Sequence, residues 1–445
     1  MSAEILFAAP VAVAVLSAGG AFFVDSPVRG AGLMLAAWVA ETVAVEFPPI
    51  PLGLSVYPQD FVFGLLFAAG ILRYLLRRAR LTPSRVLILG LMALLLLSLA
   101  RGISIYGVKI AGVEVRGLFW FYCGCFYFSS FSFGRLTTAR LVRQWHLAAC
   151  ALLAIAVFRW IATGVHLPIA ESWSDPAQPA MRVLNSNGAL FLCVAFFFSI
   201  FLHLSHAGAA WQRKLYLLLG PAILLLQHRT VWIVTLAGLA ILFREHTRAL
   251  RMAALTIAAM LAVGTVLLFS AFGADFVVAS LQSSATSSDT LVWRVAGWSQ
   301  LLFDRTTGFA GYLIGDPFGA GFARLLGRNR VEVSPHNFYV ETFLRLGILG
   351  VILVIWLYGS QLRACRTLAA HASTRFSARV FQVFLLVHLI YFMTYNLGYE
   401  QSLVLGLIVG GLPPLQAAAR APGKNLPARP RLPAPLRPEP LRGST

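Results

Sequence analysis

A chain of 445 residues that is 58% hydrophobic, only 12% charged and has a mean hydropathy of +0.77 is not a soluble globular domain, which carries about 25% charge. The expected class is an all-α, polytopic membrane protein, because helices satisfy their own backbone polar groups in lipid. The net charge of +19 does not point to nucleic acid, since basic residues of membrane proteins collect in cytoplasmic loops.

Taken in order, apolar runs of helical length lie near 6–24, 30–45, 60–76, 86–100, 117–133, 146–163, 188–203, 215–227, 231–243, 252–270, 338–358, 380–395 and 402–416. Several fall short of the roughly 20 residues a perpendicular span needs, so about 12–13 transmembrane helices are expected, with one of the first three re-entrant or fused to a neighbour. No basic segment precedes the first run, which reads as a retained span and not as a cleaved signal. The plan is residues 1–270 as transmembrane helices 1–10, 271–337 as one large periplasmic loop with short helices, 338–416 as the C-terminal transmembrane helices, and 417–445 as a basic, Pro-rich, disordered cytoplasmic tail. The five cysteines, at 123, 125, 150, 193 and 365, lie in or beside apolar runs and form no CxxC, so they read as packing residues.

Loop charge orients the chain. If the runs alternate, 24 of the 36 basic residues fall on one side, from Arg29 and the Arg73–Arg85 cluster to Arg363, Arg366 and the tail arginines. Only Asp25, Glu245 and Glu439 of the 17 acidic residues share that side, which is therefore cytoplasmic.

The opposite side receives the loops near 101–116 and 164–187, a tight turn at His228–Thr230 and the loop 271–337. That loop opens with the polar SLQSSATSSD. DTLVWRVAGWSQLLF follows, with Leu291, Val295, Trp298 and Leu302 on one helical face and Ser288 or Asp289 as cap, an interfacial amphipathic helix. No strand pairing is evident. The loop ends in SPHNFYVETFLRLGILG, where Ser334 caps a helix, Pro335 and His336 occupy its first turn, and the helix runs to about Tyr358.

Three polar positions meet on this side: Arg229 between two apolar runs, Arg294 on the interfacial helix, and His336 with Asn337. Arg182 and Arg116 stand near enough in the plan to join them. Arginines at helix ends also snorkel or contact lipid headgroups, and a His–Asn pair also caps helices. As a set, however, they suit one chemistry. Guanidinium forks bind diphosphate. A polyprenyl-diphosphate donor presents that group at the interface, and a neutral histidine takes a proton from an attacking sugar hydroxyl. The leaving diphosphate is already stabilised, so no metal or cofactor is required. The sequence offers no DxD pair on this side, no GxGxxG and no Walker loop.

SPHNFYVETFLRLGILG resembles the H-N-x-x-[LY]…G-x-x-G signature of the O-antigen ligase and O-antigen or exopolysaccharide polymerase superfamily. Arg229 after its apolar run resembles that family's Ser/His-Arg turn. WRVAGWSQLL is similar to its R-x-x-x-W helix, and RVLNSNGAL to its PN-x-x-A segment, with Ser186 where Pro is usual. LSVYPQDFVFGLLFAAGILRYL also looks like exopolysaccharide members. The resemblance extends to about residue 415. It implies an inner-membrane glycosyltransferase with its active site facing the periplasm. The implied reaction is a metal-independent, inverting transfer of a glycan from undecaprenyl diphosphate to an acceptor sugar, either lipid A core or another lipid-linked repeat. It implies His336, Arg229 and Arg294 as catalytic residues, with Arg182, Asn337 and Arg116 binding substrate. The reading of another class is a polysaccharide or lipid-linked oligosaccharide transporter or flippase. Such a protein would show charges paired inside spans, or Gly/Pro-broken helices in two related halves. Here only Arg159 sits mid-run and no internal repeat is visible.

Overall fold

The computed structural model describes residues 18–43, 50–51, 55–77, 80–165, 167, 169–170, 182–243, 254, 258, 289–304, 308–326 and 329–420. The apolar run at 252–270 falls almost wholly outside them, and the run at 6–24 is described only from residue 18. The start of the large loop up to Ser288 and the tail beyond Arg420 also lie outside them. Thirteen helices are described: α1 (Pro27–Val43), α2 (Pro58–Leu76), α3 (Pro83–Ser129), α4 (Arg135–Gly164), α5 (Ser186–Leu204), α6 (Ala210–Lys214), α7 (Tyr216–Leu225), α8 (Arg229–Phe243), α9 (Asp289–Phe303), α10 (Phe309–Ile314), α11 (Phe338–Ala369), α12 (Arg375–Tyr391) and α13 (Gln401–Arg420). Two small antiparallel pairs join them, β1 (Ile50–Pro51) with β2 (Ser55–Val56) and β3 (Arg324–Leu326) with β4 (Asn329–Val331); the second lies in the large loop, where no pairing was evident from the sequence. The molecule is thus mostly helical.

Six helices, α2, α3, α4, α5, α11 and α13, are long and apolar enough to cross a membrane. The protein is membrane-embedded. The helices α7 and α8 are apolar but have only 10 and 15 residues. The count among the described residues is therefore below the expected twelve to thirteen.

Two long helices are each two segments. In α3, Gly107 stands at φ 81°, ψ 162°, open to glycine and costly for other residues. A straight 47-residue helix would hold its ends about 70 Å apart. Yet Arg85, in its first turn, donates to the carbonyls of Ser129 at 2.6 Å and Phe131 at 2.9 Å, at the other end. The helix therefore folds back on itself at Gly107, and its arms are the two runs read at 86–100 and 117–133. In α11, Gly347 stands at φ 64°, and a Cβ there would strike the Leu313 carbonyl oxygen.

Small residues let helices approach closely where lipid supplies no hydrophobic drive. Gly124 of α3 faces Ser402 of α13, and Gly406 of α13 faces Phe128 of α3. Between α1, α4 and α5 the core is aromatic, with Phe191 stacked on Trp145 at 4.1 Å and on Trp38 at 4.4 Å. All five cysteines are free, four of them fully buried in such packing.

The arms have two distinct ends. One carries the basic cluster: Arg77 pairs with Asp25 at 2.6 Å, and Arg73 donates to the Val24 carbonyl at 2.8 Å. At the other, the α3 turn holds the segment between α10 and β3. Arg101 donates to the Gly315 carbonyl at 2.9 Å, and Glu114 accepts from the Gly319 and Gly321 N–H groups at 2.9 and 3.0 Å. Glu114 is also ion-paired with the buried Arg345 of α11, which donates to the Gly321 carbonyl at 2.6 Å.

Candidate functional site

The site builds from four chain segments at that second end. The first is 182–188. Asn185 accepts from the Gly188 N–H at 2.8 Å and so starts α5. The second is the turn between α7 and α8, where Gln227 takes a left-handed φ of 56° and α8 begins at Arg229 itself. The Arg182 guanidinium grips the Gln227 carbonyl through Nε at 3.2 Å and Nη2 at 3.0 Å. His228 is buried with Nε2 at 2.9 Å from the Leu184 carbonyl. Two segments distant in sequence are thereby locked side by side.

The third segment is α9. Its inward face is Trp298, Leu301 and Leu302, packed on Phe322, Val340 and Leu344. This differs from the face read in the sequence: Val295 is 51% exposed, while Trp298 and Leu302 pack on Phe322, Val340 and Leu344. Arg294 donates from Nη1 to the Thr394 carbonyl at 2.8 Å and stands 5.0 Å from the Tyr395 ring. Its Nε is buried without a hydrogen-bond partner among the described residues.

The fourth is 334–340. Here the cap differs from the expected one. Helix α11 starts at Phe338, and Asn337 caps it by accepting from the N–H groups of Tyr339 at 2.9 Å and Val340 at 3.0 Å. Ser334 instead accepts from Asn396 at 2.7 Å. His336 precedes the cap, in a left-handed conformation with φ 49°, and is not in the helix at all. A non-glycine residue held there stores about 1–3 kcal/mol of strain, repaid by the hydrogen bonds on both sides. The helix also runs beyond Tyr358, to Ala369, through the Gly347 kink.

The segment after α12 ties the four together. The Met393 carbonyl accepts from Asn337 at 2.8 Å, and the Thr394 carbonyl accepts from Arg294. The Thr394 hydroxyl donates to that of Thr230, next to Arg229, at 2.9 Å. Tyr391 donates to Asn187 at 2.9 Å.

The electrostatics agree with this proximity. Burial, opposed by Tyr395 and helped by the cationic Arg229 and Arg294, lowers the Arg182 pKa below its ordinary value. Burial first, then the positive fields of Arg294 and Arg324, lowers that of His336. Arg182, Arg229, Arg294 and His336 therefore share one neighbourhood. It favours an anion and keeps the imidazole neutral.

Two predicted site residues are placed differently. Asn337 is consumed by its cap and by Met393. Arg116 belongs to a second cluster: its Nε is 3.3 Å from Asp60, its guanidinium lies 4.7 Å from the Tyr57 ring, and Asp60 also accepts from Trp120 at 3.0 Å. Arg159, read as mid-span, stands near the end of α4 and donates to the Thr42 and Val183 carbonyls.

Sequence reading missed Arg324, Thr230, Thr394 and Tyr395. Arg324 is buried, donates to the Val333 carbonyl at 2.7 Å, and its positive field reaches His336. Only its place in the loop before His336 could have marked it. Among the described residues, no three His, Cys, Asp or Glu side chains group as metal ligands. Comparison with family models finds no match to this chain, and comparison with curated proteins finds none either.

Proposed function

We propose that the protein is a membrane glycosyltransferase that moves a glycan from a polyprenyl diphosphate to an acceptor sugar at the periplasmic face of the bacterial inner membrane. The observation that carries this reading is the shared neighbourhood of Arg182, Arg229 and Arg294, with Arg294 and Arg324 acting on a partly buried His336 whose pKa is lowered. In this reading the arginine forks hold the donor diphosphate. His336 accepts the proton of the acceptor hydroxyl as its oxygen attacks the anomeric carbon. The anomeric C–O bond to the diphosphate breaks on the opposite face, its electron pair leaves with the diphosphate oxygen, and the configuration inverts. The guanidinium groups stabilise the charge that accumulates there. The acceptor is lipid A core for a ligase or a second lipid-linked repeat for a polymerase, and the resemblance to exopolysaccharide members favours the polymerase.

The test is transfer by the purified protein in detergent, with a synthetic polyprenyl-diphosphate glycan and either acceptor. The expected result is product of inverted anomeric configuration, formed equally with and without EDTA. Translocation of the donor across vesicles with no transfer would replace this reading with a flippase.

A further inference from the structure

Beyond the arginine–histidine site, a cleft of about 250 Å³ opens where the turn of α3 meets the start of α2. Its walls include Val56, Leu99, Val113 and Phe119, with Lys109 and Arg116. Asp60 is the one acid in the lining and pairs with Arg116 at 3.3 Å, so the cleft keeps a net positive charge. Lys109, Gly112 and Arg116 follow one another at i, i+3 and i+7, a single stripe down the second arm of α3. The two cations thus stand about 10 Å apart along the helix axis, with a glycine groove between them. Ile105, Ile110 and Val113, around the same turn, are 62%, 55% and 53% exposed. They give the rim of the cleft an apolar surface that acyl chains could cover.

We infer that this cleft binds an anionic phospholipid, its phosphate between Lys109 and Arg116 and the start of one acyl chain on the Val56, Leu99, Val113 and Phe119 wall. A sugar is a poor occupant, because the walls offer it few hydrogen-bond partners. A free phosphate would gain nothing from the apolar side. The volume is below the roughly 300–1,000 Å³ of pockets that enclose whole drug-sized ligands, which suits part of a lipid whose remainder lies in the bilayer. Arg116 is prepositioned by Asp60, which itself accepts from the Tyr57 N–H at 2.9 Å and from Trp120.

Gly112 supplies a clean test. A Cβ built there meets nothing within 4 Å, so Gly112→Leu starts its side chain in the open space of the groove. Native mass spectrometry of detergent-purified protein, titrated with phosphatidylglycerol, phosphatidylcholine or inorganic phosphate, reads the binding. Phosphatidylglycerol is expected to bind at least tenfold more tightly than phosphatidylcholine. Gly112→Leu and Lys109→Gln should each weaken it about tenfold with an unchanged melting temperature, while Arg294→Ala leaves it intact. Equal retention of both lipids, displacement by millimolar phosphate, undiminished binding in Gly112→Leu, or loss in Arg294→Ala would each overturn the assignment.

Discussion

The indole N–H of Trp298 donates to the Pro335 carbonyl at 2.6 Å. This single bond links the helix that carries Arg294 to the residue just before His336. Trp298→Phe keeps an aromatic ring but removes the bond, worth about 0.5–1.5 kcal/mol of stability, together with the packing of the indole's pyrrole half. Transfer per folded molecule should fall further, by about 10- to 100-fold, because misplacing a base by about 1 Å costs that order of rate. Rates normalised to the monodisperse fraction check this; a wild-type rate would show that the bond does not position the imidazole.

Arg294→Ala should lower kcat/KM for transfer about 10²- to 10³-fold, the usual cost of losing one donor aimed at developing charge. Arg294→Lys should recover only part of it, since an ammonium cannot reproduce the fork. Arg229→Ala should behave alike. Full activity in either alanine variant removes that arginine from the chemistry.

His336 carries the pH dependence. Its pKa lies below the ordinary value of about 6.5, through burial and then Arg294 and Arg324. The stability it confers is present above the unfolded pKa and is lost as pH falls through the lowered folded value. Activity should follow the neutral imidazole, so the acid limb of the rate profile should lie below pH 6.5. Arg294→Ala should move that limb upward in whatever activity remains. His336→Gln should leave transfer about 10²- to 10⁴-fold lower, with no such limb. A limb that survives in His336→Gln belongs to another group.

Glu114→Ala leaves Arg345 charged and buried and frees two glycine N–H groups. Removing one partner of a buried ion pair costs about 3–5 kcal/mol. A melting temperature lower by several degrees is expected, with faster proteolysis between residues 308 and 334. The Glu114→Gln, Arg345→Met double variant should lose less than the sum of its singles, since neither charge is left alone. Strict additivity would mean that the pair is not coupled.

The proposed topology has the basic end in the cytoplasm. Leu136 is 78% exposed beside Arg135, and Val333 is 52% exposed near the site. Leu136→Cys should label only from the cytoplasmic side and Val333→Cys only from the periplasmic side, in a background without the native cysteines. Labelling of both from one side would refute the arrangement.

The membrane class and the helical character follow from composition and from apolar runs, because in lipid a long apolar segment has no alternative to a helix. The runs at 86–100 and 117–133 were legible, but not their fusion into one chain of helix, since only backbone dihedrals distinguish a Gly107 turn from a loop. His336, Arg294, Arg229 and Arg182 were legible as polar residues at the ends of apolar segments. That they share one neighbourhood was decided by tertiary structure: by Trp298 on Pro335, Arg182 on Gln227, and the 391–396 segment, which accepts from Arg294 and from Asn337 beside His336. The helix start moved from Ser334 to Asn337 for the same reason. Ser334 found a partner in Asn396, 62 residues away. Local sequence reports which groups are able to cap a helix or bind an anion, but long-range hydrogen bonds decide which of them do.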